Sequence, residues 1–383
     1  MRIDQPWLKD RATQAVCEAV TADGAQVLFV GGCVRNSLLG EPVSDMDIAT
    51  DARPEQVMEL AARAGIKAVP TGIDHGTVTL VKNGIPHEIT TFRKDVATDG
   101  RRAVVAYSTD IAEDAHRRDF TMNAIYARPD GEVVDPLGGL ADLTRRRVRF
   151  IGTAENRIRE DYLRSLRYFR FHAWYGDHAE GFDADALAAI AANLDGLVSL
   201  SKERVGAELL KLLAAPDPAP SVAAMQQAGV LGQILPGADD RSLAPLIHLE
   251  TGRVASGIRR LAALGGEDLQ KALRLSKAQA SHLEAIREAA VGTAGAGELG
   301  YRLGAEKALD ALLLRAALLE QPLSLSLETD IELGANAKLP VKARDLLPDL
   351  KGPELGAALK KMEADWIASG FSLSRGELLD SLR

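Results

Sequence analysis

The spacing of hydrophobic and polar positions changes character near residue 150. Before it, short apolar runs and strict alternation are mixed with helical stretches. Leu8 to Val20 reads as a helix, and "QVLFVGG" as a short apolar strand running into two glycines. "DMDIAT" follows, then a helix starting near Pro54. In "HGTVTLVKNGIPHEITTFR", β-branched residues alternate on both sides of Asn83-Gly84, the pattern of a two-residue hairpin. "RRVRFIG" predicts one more strand. From about Arg157 the period becomes helical, in segments rich in leucine and alanine. "AAPDPAPS" (Ala214 to Ser221) and "VGTAGAGELG" near residue 295 interrupt the helices. There is no internal repeat. The expectation is an α+β fold, a mixed head followed by an all-helical remainder. Breaks are expected at 1–145, 146–215, 216–295 and 296–383.

Composition narrows the function. The chain has 383 residues, enough for two to four domains, and is 46% hydrophobic and 26% charged. A net charge of −8 and a pI near 5.5 argue against a non-specific nucleic-acid coat, while leaving room for a local basic groove. Two cysteines, Cys17 and Cys33, are too few for a disulfide framework or a structural zinc site. No apolar run reaches membrane length, and the first residues lack the apolar region of a secretory signal. A cytoplasmic protein is expected.

The chemistry concentrates in a few segments. In "DMDIAT", the two-residue period of a strand puts Asp45 and Asp47 on one face, about 7 Å apart. Bare, they repel; a divalent cation between them turns that cost into binding. Mg²⁺ suits the pair, because it takes hard oxygen ligands and is held by one or two carboxylates plus substrate phosphates. Two solvated acids at a strand end are the plain alternative. The preceding "VGGCVRNSLLG" weighs against it. Gly31 and Gly32 follow an apolar strand and open a helix, where backbone N–H groups approach a phosphate unobstructed by a Cβ. Arg35 then offers a forked contact to phosphate oxygens. The G-x-G-x-x-G spacing of a dinucleotide fold is absent.

Further on, "RRDFTMNAIY" (Arg117 to Tyr126) sets two arginines, an aspartate and an asparagine before an apolar stretch. "NRIREDYLRSLRYFRF" (Asn156 to Phe171) reads as one helix. Ile158, Tyr162, Leu166, Phe169 and Ala173 form its apolar stripe, with Arg157, Glu160, Asp161, Arg164 and Arg167 roughly opposite. Three residues apart, Asp161 and Arg164 are neighbours on that surface. A solvated, salt-bridged face is the simple reading. However, Arg145 to Arg170 holds nine arginines against three acids in an otherwise acidic chain, which suggests a bound polyanion. An Asp accepting from an exocyclic amine beside an Arg donating to ring acceptors suits both C and A.

Together, Gly-Gly-x-Val-Arg, Asp-x-Asp, "RRDFTMNAIY" and Glu160-Asp161-x-x-Arg164 resemble the signature of the class II tRNA nucleotidyltransferases (CCA-adding enzymes) and bacterial poly(A) polymerases. The sequence departs at Asn36, where that family usually has Asp. The resemblance implies a polymerase-β-like nucleotidyltransferase head with a mixed sheet, then a helical neck, body and tail. It implies Mg²⁺ on Asp45 and Asp47 as catalytic ligands. It assigns Gly32, Arg35, Arg118, Arg167 and Arg170 to the nucleotide, and Asp161 with Arg164 to the base of incoming CTP or ATP. Gly31, Asp119, Asn123 and Glu160 are supporting candidates, and Glu88 is a third carboxylate candidate or an ordinary exposed Glu. "DPLGGLADL" and "SKERVGAELLKLL" match structural motifs, and "RKDVATDGRRAVVAY" a mobile loop. The activity implied is addition of CCA to the tRNA 3′ end from CTP and ATP, with the helical remainder holding tRNA. Poly(A) synthesis, CC-only or A-only addition, and a silent nucleotide- or RNA-binding protein are the alternatives.

Overall fold

The computed structural model describes residues 1–99, 102–347 and 350–381. The chain divides into two compact units, Met1–Glu208 with Pro220–Ile234, and Leu209–Ala219 with Leu235–Arg383.

The first unit begins with α1 (Arg11–Thr21), β1 (Val27–Val30), α2 (Gly32–Leu39), β2 (Asp47–Thr50) and α3 (Pro54–Arg63). Asp10 caps α1 by accepting from the Ala12 and Thr13 amides, an arrangement that stabilises a helix by about 1 kcal/mol. Next come β3 (Lys67–Gly72), β4 (Thr77–Lys82), β5 (Ile85–Thr91), β6 (Arg93–Asp99), β7 (Arg102–Tyr107) and α4 (Ile111–His116). The unit continues with β8 (Tyr126–Ala127), β9 (Val133–Val134), α5 (Gly139–Thr144), α6 (Ala154–Glu160), α7 (Leu163–Tyr175), α8 (Ala184–Ala191) and the part of α9 (Lys202–Leu213) up to Glu208.

Seven strands form one mixed sheet in the order β3-β4-β5-β2-β1-β8-β9. Only β2 and β5 run parallel. The hairpin expected at Asn83-Gly84 joins β4 to β5, and both turn residues have positive φ (52° and 80°) as the primed turn demands. β1 and β2 pair so that Phe29 faces Ile48, which sets the end of β1 beside Asp47. Glu88 on β5 is the register partner of Asp47. One end of the three central strands therefore collects Gly31, Asp47 and Glu88. Leu28, Val30, Ala49, Phe92, Ala115, Ala124, Tyr126 and Ile151 pack together beneath it and fix those ends in place.

Three local expectations are corrected. "RRVRFIG" is no strand: it makes a single bridge, Phe120 to Phe150, and exchanges a few amide bonds with the segment after Arg118. "RKDVATDGRRAVVAY" is not a loop but a two-stranded ribbon, β6 with β7, around residues 100–101, which lie outside the described residues. The run from Asn156 to Phe171 is two helices. Asp161 takes an extended conformation (φ −154°, ψ 105°), and its side chain accepts from the Leu163 amide, starting α7 afresh.

The second unit is helical. Glu250, Arg259, Arg260 and Asp310 form a buried ion network in which every carboxylate meets a guanidinium: Arg259 to Glu250 and to Asp310 at 2.5 Å, and Arg260 to Glu250 at 2.8 Å. Near the C-terminus Met362, Trp366 and Leu378 anchor a separate apolar cluster. Among the described residues no helix is long and apolar enough to cross a membrane.

Candidate active site

Gly31 is the hinge of the site. Its φ of +73° and ψ of −125° suit only glycine, and they turn the chain sharply from β1 into α2. A Cβ built there would lie 3.5 Å from Asn123 Oδ1, 3.9 Å from Arg118 Nη1 and 3.9 Å from Asp47 Oδ2. Segments that are nearly ninety residues apart in sequence thus meet around one Cα. Gly32 follows as the first residue of α2.

Asp47 heads β2 and opens to solvent, with Ile48, Ala49 and Thr50 buried behind it. Enough protein surrounds the carboxyl that burial raises its pKa; Arg118 opposes that shift and Asp45 adds to it. Asp45 lies in the coil just before β2, not within the strand as the two-residue period implied, and accepts from Ser44 Oγ at 2.9 Å. Its charge is nonetheless felt at both Asp47 and Glu88. Glu88 is exposed, and burial followed by Asp47 and Asp45 pushes its pKa up. Among the described residues no group of three or more His, Cys, Asp and Glu side chains is arranged to hold a metal. The donor set is two carboxylates of hard oxygen, which fits a small divalent cation that takes its remaining ligands from substrate and water.

Arg118 is aimed by a buried partner. Asp114, fully buried on α4, accepts from Arg118 Nη2 at 3.0 Å, Arg117 Nε at 2.8 Å and the Tyr126 hydroxyl at 2.7 Å. Arg118 Nε also donates to the Tyr126 hydroxyl at 3.1 Å. Asp119 binds the Asn123 amide at 3.1 Å and Arg167 at 2.5 Å. Burial alone would raise the Asp119 carboxyl; Arg167, then Asn123 and the Phe120 amide, override it and hold the pKa at about 2. Because that value is below the ordinary 3.8, the stabilisation is whole above pH ~4 and fades as the pH falls toward 2. Asp119→Asn should therefore lose about 2 kcal/mol at pH 6, a deficit that shrinks by pH 3. Urea unfolding of both proteins across that range checks it; a deficit that holds steady or grows with acid contradicts the assignment.

Arg35 is committed inward. It is buried, donates to Asn36 Oδ1 (2.9 and 3.2 Å), Asn123 Oδ1 (2.9 Å) and the Tyr175 hydroxyl (2.9 Å), and stacks 4.0 Å from the Tyr175 ring centre. Asn36 here supplies an amide oxygen rather than a carboxylate. The other arginines each have an acid. Arg164 donates to Glu160 at 2.6 Å and to the Arg157 carbonyl at 3.0 Å. Arg170 donates to Glu208 at 2.5 Å, and Asp161 accepts from Arg204 at 2.6 Å. The expected Asp161–Arg164 contact is replaced by these separate partners, because the chain breaks between the two helices. Asp135 accepts from the Gly139 and Leu140 amides (2.8 and 2.9 Å), so "DPLGGLADL" is the structural turn its motif implies.

The family model "Poly A polymerase head domain" matches residues 27–149, and "Probable RNA and SrmB- binding site of polymerase A" matches 182–241. A CCA-adding enzyme of Lactobacillus delbrueckii subsp. bulgaricus is 34% identical over 91% of this chain and 92% of its own length. The chain belongs to the CCA-adding enzyme family. Within that family the mouse (Mus musculus) mitochondrial CCA tRNA nucleotidyltransferase 1 is 41% identical over 217 residues, 56% of this chain. The chain covers only about half (50%) of that enzyme's length. The crystal structure of the Bacillus stearothermophilus CCA-adding enzyme with CTP superposes with a TM-score of 0.77 at 28% identity, over 96% of this chain and 94% of that one. CCA-adding enzymes use a divalent metal, in keeping with the carboxylate pair at the head of β2.

Sequence reasoning missed Asp114, Tyr126, Tyr175, Arg204 and Glu208, the residues that hold the expected ones. Two signals were available. Asp114 stands four residues before Arg118, the spacing of a helical ion pair. Glu208 lies three residues after Val205 and four before Leu212 on the buried face of α9, where a bare acid is costly.

Proposed function

We propose that this protein adds C, C and A in turn to the 3′ end of tRNA, using CTP and ATP and releasing pyrophosphate. The observation that carries the reading is the meeting of Asp47, Arg118 and Asn123 around Gly31. Asp45 and Asp47 would hold Mg²⁺, which when bound lowers the pKa of the RNA 3′-hydroxyl and offsets the charge of the triphosphate. Gly31 and Gly32 leave room for the phosphates, and the first N–H groups of α2 face them. Arg118, with its Nε and Nη2 tied to Asp114 and Tyr126, presents Nη1 to the same space and binds phosphate oxygens as charge moves to the leaving group. The rest is positioning: the hydroxyl attacks the α-phosphorus, and the protein's task is to keep nucleophile, phosphorus and leaving oxygen in line.

Asp161 and Arg164 read the base, with Glu160 steadying Arg164. Arg167 and Arg170, held by Asp119 and Glu208, line the approach to the nucleotide, and Arg35 braces Asn123 beside the phosphates. The head (1–145) and neck (146–215) carry the chemistry, while the helices of 216–295 and 296–383 hold tRNA by backbone and shape. Cys17 and Cys33 are free, buried thiols with pKa pushed up to about 12 by burial, which suits a reducing cytoplasm.

Two experiments test this. Purified protein is incubated with Mg²⁺, labelled tRNA lacking its last three nucleotides, and each NTP singly and together. Two C and one A, then arrest, is the expected outcome; a long A tract or no extension overturns it. Arg164→Ala should lower the preference for CTP and ATP over UTP and GTP roughly tenfold to a hundredfold, read as ratios of kcat/KM. Unchanged ratios would remove Arg164 from base reading.

A further inference from the structure

Asp161 and Arg164 stand three residues apart with opposite charge, the arrangement in which two side chains on a helix pair with each other. Such a pair would consume both groups that are to face the base. The structure keeps them apart by giving each a different holder. Asp161 Oδ1 accepts from the Leu163 amide at 3.1 Å, and Asp161 Oδ2 from Arg204 Nη2 at 2.6 Å. Arg164 Nη1 donates to Glu160 at 2.6 Å and to the Arg157 carbonyl at 3.0 Å. Arg204 comes from α9, 43 residues along the chain, and both it and Asp161 are half-buried, where a charge-assisted bond fixes geometry better than at the open surface.

We propose that Arg204 is a positioning residue for base selection, whose bond to Asp161 keeps that carboxylate off Arg164 and turned toward the incoming base. The proposal rests on the base-reading role given to Asp161 above. A carboxylate has about four acceptor directions. Leu163 and Arg204 take one on each oxygen, leaving the outer directions for an exocyclic amine. C and A offer that amine; U and G present a carbonyl there, which the fixed carboxylate repels. Arg204 touches no base itself and acts only through Asp161. Without it, Asp161 swings to Arg164, both readers are neutralised at once, and the site stops distinguishing an amine from a carbonyl. Arg204 thus extends base selection to α9, in a segment whose motif reads as structural.

The test is equilibrium binding of CTP and UTP, which needs no turnover, to wild type, R204A, R204Q, R204K and R164A/R204A. The expected result is a CTP/UTP affinity ratio about tenfold lower in R204A and R204Q, largely restored in R204K. In the R164A background, adding R204A should change the ratio little, because the partner that captures Asp161 is gone. A purely structural role would weaken both nucleotides alike. A wild-type ratio in R204A or in R204Q overturns the proposal, as does an equal further loss in the R164A background. Failure of wild type to extend tRNA, with the ratio still dependent on Arg204, sinks the CCA-adding reading and leaves this one standing.

Discussion

Asp47→Ala will yield a folded protein that adds no nucleotide of any kind. The reason is local. Asp47 is the last open residue before the buried Ile48–Thr50 of β2, so its backbone is fixed by strand pairing on both sides and not by its own side chain. Removing the carboxylate also removes repulsion from Asp45 and a burial penalty, the two influences that raise its pKa. A carboxyl with a raised pKa is one whose charged form the fold disfavours, so the variant should melt at the wild-type temperature or slightly above it. Extension, in contrast, loses one of the two carboxylates proposed to hold the metal, the one that interacts with Arg118. Single-turnover rates with CTP and with ATP should fall on the order of a thousandfold or more. Retention of activity within tenfold would show that Asp47 is an ordinary strand-end acid.

Asp114→Ala should do the opposite: damage the fold and, through it, nucleotide binding. Asp114 is wholly buried, and its two oxygens serve Arg117, Arg118 and the Tyr126 hydroxyl. Taking away one partner of a buried ion pair leaves charge without compensation, a loss of about 3–5 kcal/mol. Among the described residues Arg118 then keeps only the Tyr126 hydroxyl to aim it, so KM for CTP should rise as well. Asp114→Asn separates the two effects. It keeps an acceptor for Tyr126 but not the charge, and should fall between wild type and alanine in urea unfolding. A destabilisation under about 1 kcal/mol with an unchanged KM would mean that Arg118 is held by something else.

Much of the head was legible because its signals are local. Asn83-Gly84 named its turn, "QVLFVGG" gave both β1 and the glycine turn after it, and Pro54 marked the start of α3. What was not legible depends on partners distant in sequence or on a single side chain. "RRVRFIG" has β-forming residues, yet only Phe150 finds a bridging partner, and a strand without a ladder is not a strand. The run through "REDYLRS" has unbroken helical periodicity, yet Asp161 is extended and its carboxylate accepts from the Leu163 amide, which starts a second helix. That break, with the Arg204–Asp161 and Arg164–Glu160 bonds, leaves Asp161 and Arg164 with separate partners. The catalytic candidates were visible as a motif; their holders were not. Arg204 and Glu208 belong to a helix that reads as scaffold, and only the folded chain brings them to Asp161, Arg167 and Arg170.

Asp45, Asp47 and the Gly31 turn are proposed to build one pocket for metal and triphosphate together. The most direct measurement is the affinity for CTP in wild type and Asp47→Ala, each with and without Mg²⁺. Mg²⁺ should tighten CTP binding at least about tenfold in wild type and hardly at all in the variant. An equal Mg²⁺ effect in both proteins would contradict it.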